Sequence, residues 1–189
     1  VHALRAGVAK HLPRAHRFVC LTDMDVPGVE TIPLEHDWPG WWAKPEIWRP
    51  GVFDGPTLYM DLDTLPVGDL SDIASYRGPF AMLNDFYKGR RLAASGVMAW
   101  TPGEHTEAIY EAMCREKRTP PGRSDHWYAR HAPEADRLQE LFPGQMVSLK
   151  AHAKDGPPEN ARLVSGHGKP RLSDPKAGWA HLKWKERTA

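Results

Sequence analysis

The chain has little cysteine: two residues in 189, Cys20 in an apolar run and Cys114 in a helix-like one. Two cysteines so far apart make neither a disulfide framework nor a zinc-ligand pattern, and they point to a reducing, cytoplasmic setting. Net charge is nearly absent, +1 from 25 Lys and Arg against 24 Asp and Glu, so composition gives no electrostatic case for a nucleic-acid partner. No apolar run approaches the ~20 residues of a membrane span, and no signal peptide is recognisable. Internal repeats and low-complexity segments are lacking too. What is present is 41% apolar residues, enough for one core, together with 18 Pro, 10 His and 8 Trp. That mixture suits a single loop-rich, pocketed domain better than a helical bundle.

Residues 2–12, HALRAGVAKHL, place Leu4, Val8 and Leu12 on one helical face, and Pro13 stops the helix. RFVCLTD (17–23) reads as a buried strand, VPGVETIPL (26–34) as a loop, and WPGWWAKPEIWRPG (38–51) as turns with a short helix. TLYMDLD (57–63), PFAML (79–83) and AASGVMAW (93–100) read as further strands. GEHTEAIYEAMCREKR (103–118) is an amphipathic helix with Ala108, Ile109, Ala112 and Met113 on one face. RSDHWYARH (123–131) and PEADRLQELF (133–142) continue with helical character, and MVSL (146–149) and ARLVSG (161–166) are late strands. Strands alternating with helices predict one α/β domain over 1–189, Rossmann-like, with a central mixed, mainly parallel sheet flanked by helices.

The most informative stretch is LYMDLDTLPVGDL (58–70), where an apolar strand ends in Asp61 and Asp63. Ligands of open α/β sheets bind beyond the carboxyl ends of the strands. Residues two apart on an extended chain point the same way. Two carboxylates meeting there repel unless a cation lies between them, and a hard divalent ion with room for substrate phosphates is the natural partner. The competing reading is a turn, with Asp63 capping TLPVGDL.

LYMDLDTLPVGDLSDI resembles the D-x-D region of retaining glycosyltransferases related to glycogenin and the bacterial lipopolysaccharide galactosyltransferases, family 8, whose fold is called GT-A. FVCLTD, WWAKPEIWRPG, AASGVMAW, RSDHWYAR and ARLVSGHGKPR follow in the family's order. GWWAK ahead of the aspartates is similar to the bacterial and phage members. The resemblance implies a sugar donor linked to a nucleotide diphosphate, usually UDP, an acceptor it does not identify, and a divalent ion, Mn²⁺ or Mg²⁺. Asp61 and Asp63 match the family's metal aspartates. His167 in HGKP matches its metal histidine, a ligand that suits Mn²⁺. Gly168 follows, and Lys169 matches the lysine that holds a donor phosphate, at a shorter spacing than is usual.

By the same resemblance Lys44 is a donor-binding residue and Asp85 binds the sugar. Gly96 lets backbone approach the sugar because it lacks a side chain. Ala94 stands where many relatives have Asn, which leaves Ser95 to supply that hydrogen bond. Asp125 and His126 fall where the family often has Asp-Gln beside the reacting sugar face. Two plainer readings stand beside these: a turn cap for Asp85, and a helix-start position for Asp125 after Ser124. The resemblance also implies that the family's first strand, which holds the nucleotide base, is missing ahead of the helix at residue 2.

Two other functions compete. One is a non-catalytic nucleotide-sugar binder. The other is a phosphatase of the haloacid-dehalogenase type, whose Asp-x-Asp needs one more residue before its threonine; here Thr64 follows Asp63 directly. The tail GWAHLKWKERTA (178–189) carries Trp179, Leu182, Trp184 and basic residues, a pattern consistent with a frayed terminus or weak contact with an anionic membrane surface.

Overall fold

The computed structural model describes residues 1–116 and 119–188, without the side chains of Arg90 and Arg91. The helix expected over 103–118 is present as far as Arg115; its expected residues 117–118, and Ala189 of the tail, lie outside the described residues.

The helix α1 (His2–His11) buries Ala3, Leu4, Gly7 and Val8 and carries Lys10 in its last turn, where its charge complements the helix dipole. Two parallel strands follow, β1 (Val19–Thr22) and β2 (Glu30–Pro33). A 3₁₀ segment (Gly40–Trp48) leads to β3 (Thr57–Met60) and β4 (Thr64–Pro66). Then come β5 (Phe80–Asp85), the long β6 (Gly89–Trp100), α2 (Glu104–Arg115) and α3 (Ser124–His131). The chain closes with β7 (Asp136–Arg137), α4 (Leu138–Leu141), β8 (Met146–Ser148), β9 (Leu163–Ser165) and α5 (Trp179–Glu186).

The expected α/β domain is present, with helices packed on its sheets. The parallel share is smaller than expected. The main sheet, in order β3-β6-β5-β7, pairs β6 antiparallel to both β3 and β5, and only the short β7 runs parallel to β5. A third sheet, β4-β9-β8, has one antiparallel and one parallel pair. The physical reason is connection length: only a few residues separate β5 from β6, and so short a link returns the chain antiparallel.

Alternation along the main sheet sorts its side chains between two cores. Leu58, Met60, Ala81, Leu83, Val97 and Ala99 face the α1 side. Tyr59, Phe80, Met82, Met98 and Trp100 face an aromatic cluster formed with Trp42, Ile47, Trp48, Trp127 and Tyr128. Trp48 meets Phe80 edge-on at 5.4 Å and Tyr128 at 5.3 Å, and each such buried ring is worth about 2–3 kcal/mol. These anchors, from a segment of mixed turn signals, hold the 3₁₀ segment against the sheet.

Two segments expected as irregular are strands. β2 lies inside the presumed loop 26–34, as an exposed edge strand that follows Pro27 and ends on Pro33 and so reads locally as turn. β4 lies inside the presumed turn after Asp63, fully buried through its pairing with β9. α1 packs directly on it: a Cβ on Gly7 would meet Pro66 Cγ and Cδ at 3.1 Å. The tail is not frayed. It folds as α5, with Ala180 buried and Trp179 Nε1 donating to the Ala153 carbonyl at 2.7 Å. Trp179 and Trp184 pack on the third core, leaving Leu182 exposed. The aromatic half of the expected membrane contact is therefore spent on packing. Among the described residues no helix is long and apolar enough to cross a membrane, and Cys20 and Cys114 are both free thiols.

Among the described residues, β1 pairs only with β2, and β3 only with β6. Residues of β1 and β3 line one cavity of about 900 Å³, together with Leu4, Val8 and Leu12 of α1 and Lys44 and Asp61.

Candidate functional site

Asp61 and Asp63 stand just beyond the carboxyl end of β3, as the D-x-D reading expects. The turn is tight: Thr64 N–H donates to the Asp61 carbonyl at 2.9 Å, and Asp61 N–H to the Gly96 carbonyl at 2.8 Å. Asp61 shares the parity of Tyr59 and so falls on the aromatic side of the sheet. There the Tyr59 hydroxyl donates to Asp61 Oδ1 at 2.5 Å. Burial first, and then the Asp61 charge, push the Tyr59 hydroxyl well above its ordinary range, so it remains a donor.

Lys44 is held by the 3₁₀ segment with its side chain only 9% exposed, and its Nζ lies 2.9 Å from Asp61 Oδ1. It also donates to the Ser95 carbonyl at 3.1 Å and hydroxyl at 3.0 Å, and sits 5.1 Å from the Tyr59 ring centroid. Ser95 passes the contact on. Its N–H and Oγ donate to Asp125 Oδ1 at 2.8 and 2.6 Å, while Arg123 donates to Asp125 Oδ2 at 2.9 Å. Burial alone would raise the Asp125 carboxyl, but these hydrogen bonds outweigh it and hold the group below its ordinary value. Five residues, Tyr59, Asp61, Lys44, Ser95 and Asp125, thus form one continuous polar chain.

The placement of Ser95 and Gly96 depends on a break in register. Opposite Met82 and Leu83 the β6 partners are Met98 and Ala94, so Ser95, Gly96 and Val97 have no β5 partner. A bulge of this kind re-aims side chains, and here it delivers residues 95 and 96 to the carboxylates.

Asp63 is the less settled carboxylate. Burial and then the Asp61 charge raise its proton affinity, and Arg171 opposes them from 3.3 Å. Backbone pairing brings the C-terminal segment here: β9 lies against β4, and Gly166 N–H donates to the Asp63 carbonyl at 2.7 Å. His167 comes next in the chain. Its Nε2 lies 2.8 Å from Ser148 Oγ, and its ring stacks on Phe86 at 5.6 Å with Tyr87 at its edge. Burial, then Lys150, lowers its pKa, while Asp63 pulls the other way. An imidazole has the donor chemistry a divalent ion needs, with Asp63 acting on it electrostatically. The placement does not complete a site. Among the described residues no three His, Cys, Asp or Glu side chains gather closely enough to hold an ion, and each aspartate faces a protein cation.

Ser95 is 3% exposed and its hydroxyl is committed to Asp125 and Lys44, so it connects charged groups instead of presenting itself to a sugar. Asp85 accepts from the N–H groups of Tyr87 and Lys88 at 2.9 and 3.0 Å with one oxygen, as the turn-cap reading has it. His126 is exposed on the first turn of α3, with no side-chain hydrogen bond or ion pair to the cluster among the described residues. Lys169 is exposed; it is Lys150 Nζ that approaches Gly168, a residue in the left-handed region at φ +71°. A Cβ on Gly96 would meet Asp61 Oδ2 at 3.6 Å and Ser165 Oγ at 3.8 Å, ordinary contacts. The protein's own atoms therefore do not demand glycine at 96, and the space in front of it is free for a ligand.

Tyr59, Arg123, Ser148, Lys150 and Arg171 were not anticipated. Tyr59 carries a usable signal, since it lies two residues before Asp61 on the same strand face. Arg123, two residues before Asp125, and Arg171, four after His167, lie inside stretches already read, whereas Ser148 and Lys150 arrive from a distant segment and carry no signal.

No family model and no curated protein matches the chain. Among solved structures, its backbone is similar to the glycosyltransferase GlyE of Streptococcus pneumoniae TIGR4, with a TM-score of 0.70 and 11% identity, over 100% of this chain and 57% of that one. The apo form of the same protein matches with a TM-score of 0.67 and 10% identity, over 99% and 56%. The chain thus spans little more than half the length of these structures, and the likeness is one of fold.

Proposed function

We propose that this chain is the donor-binding part of a retaining glycosyltransferase that moves a sugar from a UDP-linked donor to an acceptor, with Mn²⁺ or Mg²⁺ as cofactor. The observation that carries the reading is the polar chain Tyr59–Asp61–Lys44–Ser95–Asp125 at the carboxyl end of β3, in a fold shared with a glycosyltransferase.

In this reading Asp61, Asp63 and His167 would hold the ion, which would supply positive charge to the leaving diphosphate. Lys44 fixes Asp61 in place. The fully charged Asp125 accepts from sugar hydroxyls and faces the positive charge that builds on the ring as the C1–O bond breaks. Gly96 leaves room for the sugar beside Asp61. Lys169 and Lys150 bring further positive charge toward the phosphates. His126 supports the same face of the site from the start of α3.

The open edges of β1 and β3 across the apolar cavity support a companion proposal: one more strand, seated between them, joins the two sheets and completes the nucleotide-binding side. A version extended upstream should then bind UDP more tightly than this chain; equal affinity refutes that proposal.

The main test is hydrolysis of a nucleotide-sugar panel with Mn²⁺ and with chelator. Hydrolysis of a UDP-sugar that stops with chelator is the expected result. Binding without hydrolysis favours the non-catalytic binder, and turnover of a simple phosphate ester favours the phosphatase.

A further inference from the structure

The turn between β5 and β6 carries an exposed aromatic ring, Tyr87, which is 65% exposed and joins none of the three apolar cores. The ring is braced on one side: it meets His167 edge-on at 5.9 Å, His167 stacks on Phe86, and Phe86 meets His152 at 5.9 Å. Its backbone is braced too, because the Tyr87 N–H donates to Asp85 Oδ1 at 2.9 Å. Two charged groups here have capacity to spare. Asp85 serves the turn through Oδ1, and among the described residues nothing bonds to Oδ2. The Arg123 side chain is 59% exposed, and among the described residues its guanidinium uses one N–H, on Asp125 Oδ2 at 2.9 Å. Against its burial, the N–H groups of Tyr87 and Lys88 and then the Arg123 charge hold the Asp85 carboxyl below its ordinary value. Arg123 thus links the turn to Asp125. A bare ring with a carboxylate acceptor and a guanidinium donor nearby suits a saccharide: the C–H face of a pyranose covers the ring, and its hydroxyls need both acceptors and donors. A lipid chain would have to desolvate the charges, and an anionic ligand would meet Asp85.

We propose that Tyr87 is the platform for the acceptor, and that the acceptor is itself a saccharide. Its terminal pyranose lies on the exposed face of Tyr87, with hydroxyls on Asp85 Oδ2 and on the unused N–H groups of Arg123, which hold it beside Asp125. The site consists of protein groups alone and binds its sugar without a metal ion. This rests on the glycosyl-transfer reading above and names the substrate class that reading leaves open.

The test is saturation-transfer NMR in buffer with chelator. The probes are the methyl glycosides of glucose, galactose, mannose and N-acetylglucosamine, with lactose and maltose. The proteins are the wild type, Tyr87→Ala and Tyr87→Phe, each checked for folding by its melting temperature. At least one probe should bind the wild type in the millimolar range, with saturation strongest on the ring protons of one apolar face. Tyr87→Ala should bind it about tenfold more weakly, because the stacking surface is gone. Tyr87→Phe, which keeps the ring, should stay within about twofold of the wild type. A wild type that binds none of the probes, or an affinity that Tyr87→Ala leaves unchanged, overturns the platform. Hydrolysis of the nucleotide-sugar panel by the same wild-type preparation separates the two readings. Hydrolysis without saccharide binding removes the platform and leaves the donor reading standing. Saccharide binding lost in Tyr87→Ala, without hydrolysis, supports the platform and counts against the donor reading.

Discussion

Replacing Lys44 with Met removes the ammonium and keeps most of the stem. The structure sets the size of the effect. Lys44 Nζ lies 2.9 Å from Asp61 with side chains 9% and 34% exposed, and it also serves the Ser95 carbonyl and hydroxyl. Removing one partner of a well-buried pair costs about 3–5 kcal/mol, but the water reaching Asp61 screens part of that, leaving about 2 kcal/mol. For a domain of this size that is a drop in melting temperature of about 4–8 °C. Asp61→Asn should cost a similar amount by stranding the buried ammonium. The double variant should cost less than the sum, with a coupling energy of about 1.5 kcal/mol. Urea titrations of the four proteins measure this directly. A coupling energy below about 0.5 kcal/mol, within the scatter of independent sites, would show that the pair is a geometric coincidence and that Lys44 does not fix Asp61.

Gly96→Ala should melt within about 2 °C of the wild type, since its Cβ meets nothing closer than 3.6 Å, yet bind a UDP-sugar about tenfold more weakly by filling the sugar's space; unchanged affinity places the sugar elsewhere. Asp125, held below the ordinary carboxyl value of 3.8 by Ser95 and Arg123 against its burial, adds stability that is fully present above that value and is lost as pH falls through its folded pKa. Asp125→Asn should therefore melt lower than the wild type at pH 7, with the gap closing in strong acid; a gap independent of pH would show that the charge is not what stabilises. Glu46 is fully buried and accepts from the N–H groups of Glu35 and His36 and from Arg49. Glu46→Ala should cost about 3 kcal/mol in urea unfolding by orphaning these donors, and a loss under 1 kcal/mol contradicts that role.

Local pattern was enough for much of the scaffold. The 3.6-residue repeat located α1 and α2, and the apolar run TLYM located β3 with Asp61 and Asp63 at its carboxyl end. Period-two alternation placed Asp61 on the face of Tyr59, but Asp63 lies beyond it in a tight turn where alternation no longer holds. These features are legible because they depend on residues within one or two turns of each other.

What pattern could not supply were the partners, because partners come from strand pairing and packing over long sequence distances. The burial of Lys44 depends on Trp42 and Trp48 locking the 3₁₀ segment against β6 and α3, and nothing around residue 44 encodes that. Ser95 and Gly96 reach Asp61 through a register break that exists only between β5 and β6. Asp63 meets Arg171, 108 residues away, because β4 and β9 pair and carry the C-terminal segment to it. The turn residues around β2 and β4 concealed two strands, since a strand of three or four residues is stabilised by its neighbour and not by its own sequence. The sequence alone set Asp61 and Asp63 at the end of an apolar strand; tertiary structure decided which cations stand against them. An electrostatic pair is set by distance in space, and that distance is fixed only once the sheets have closed.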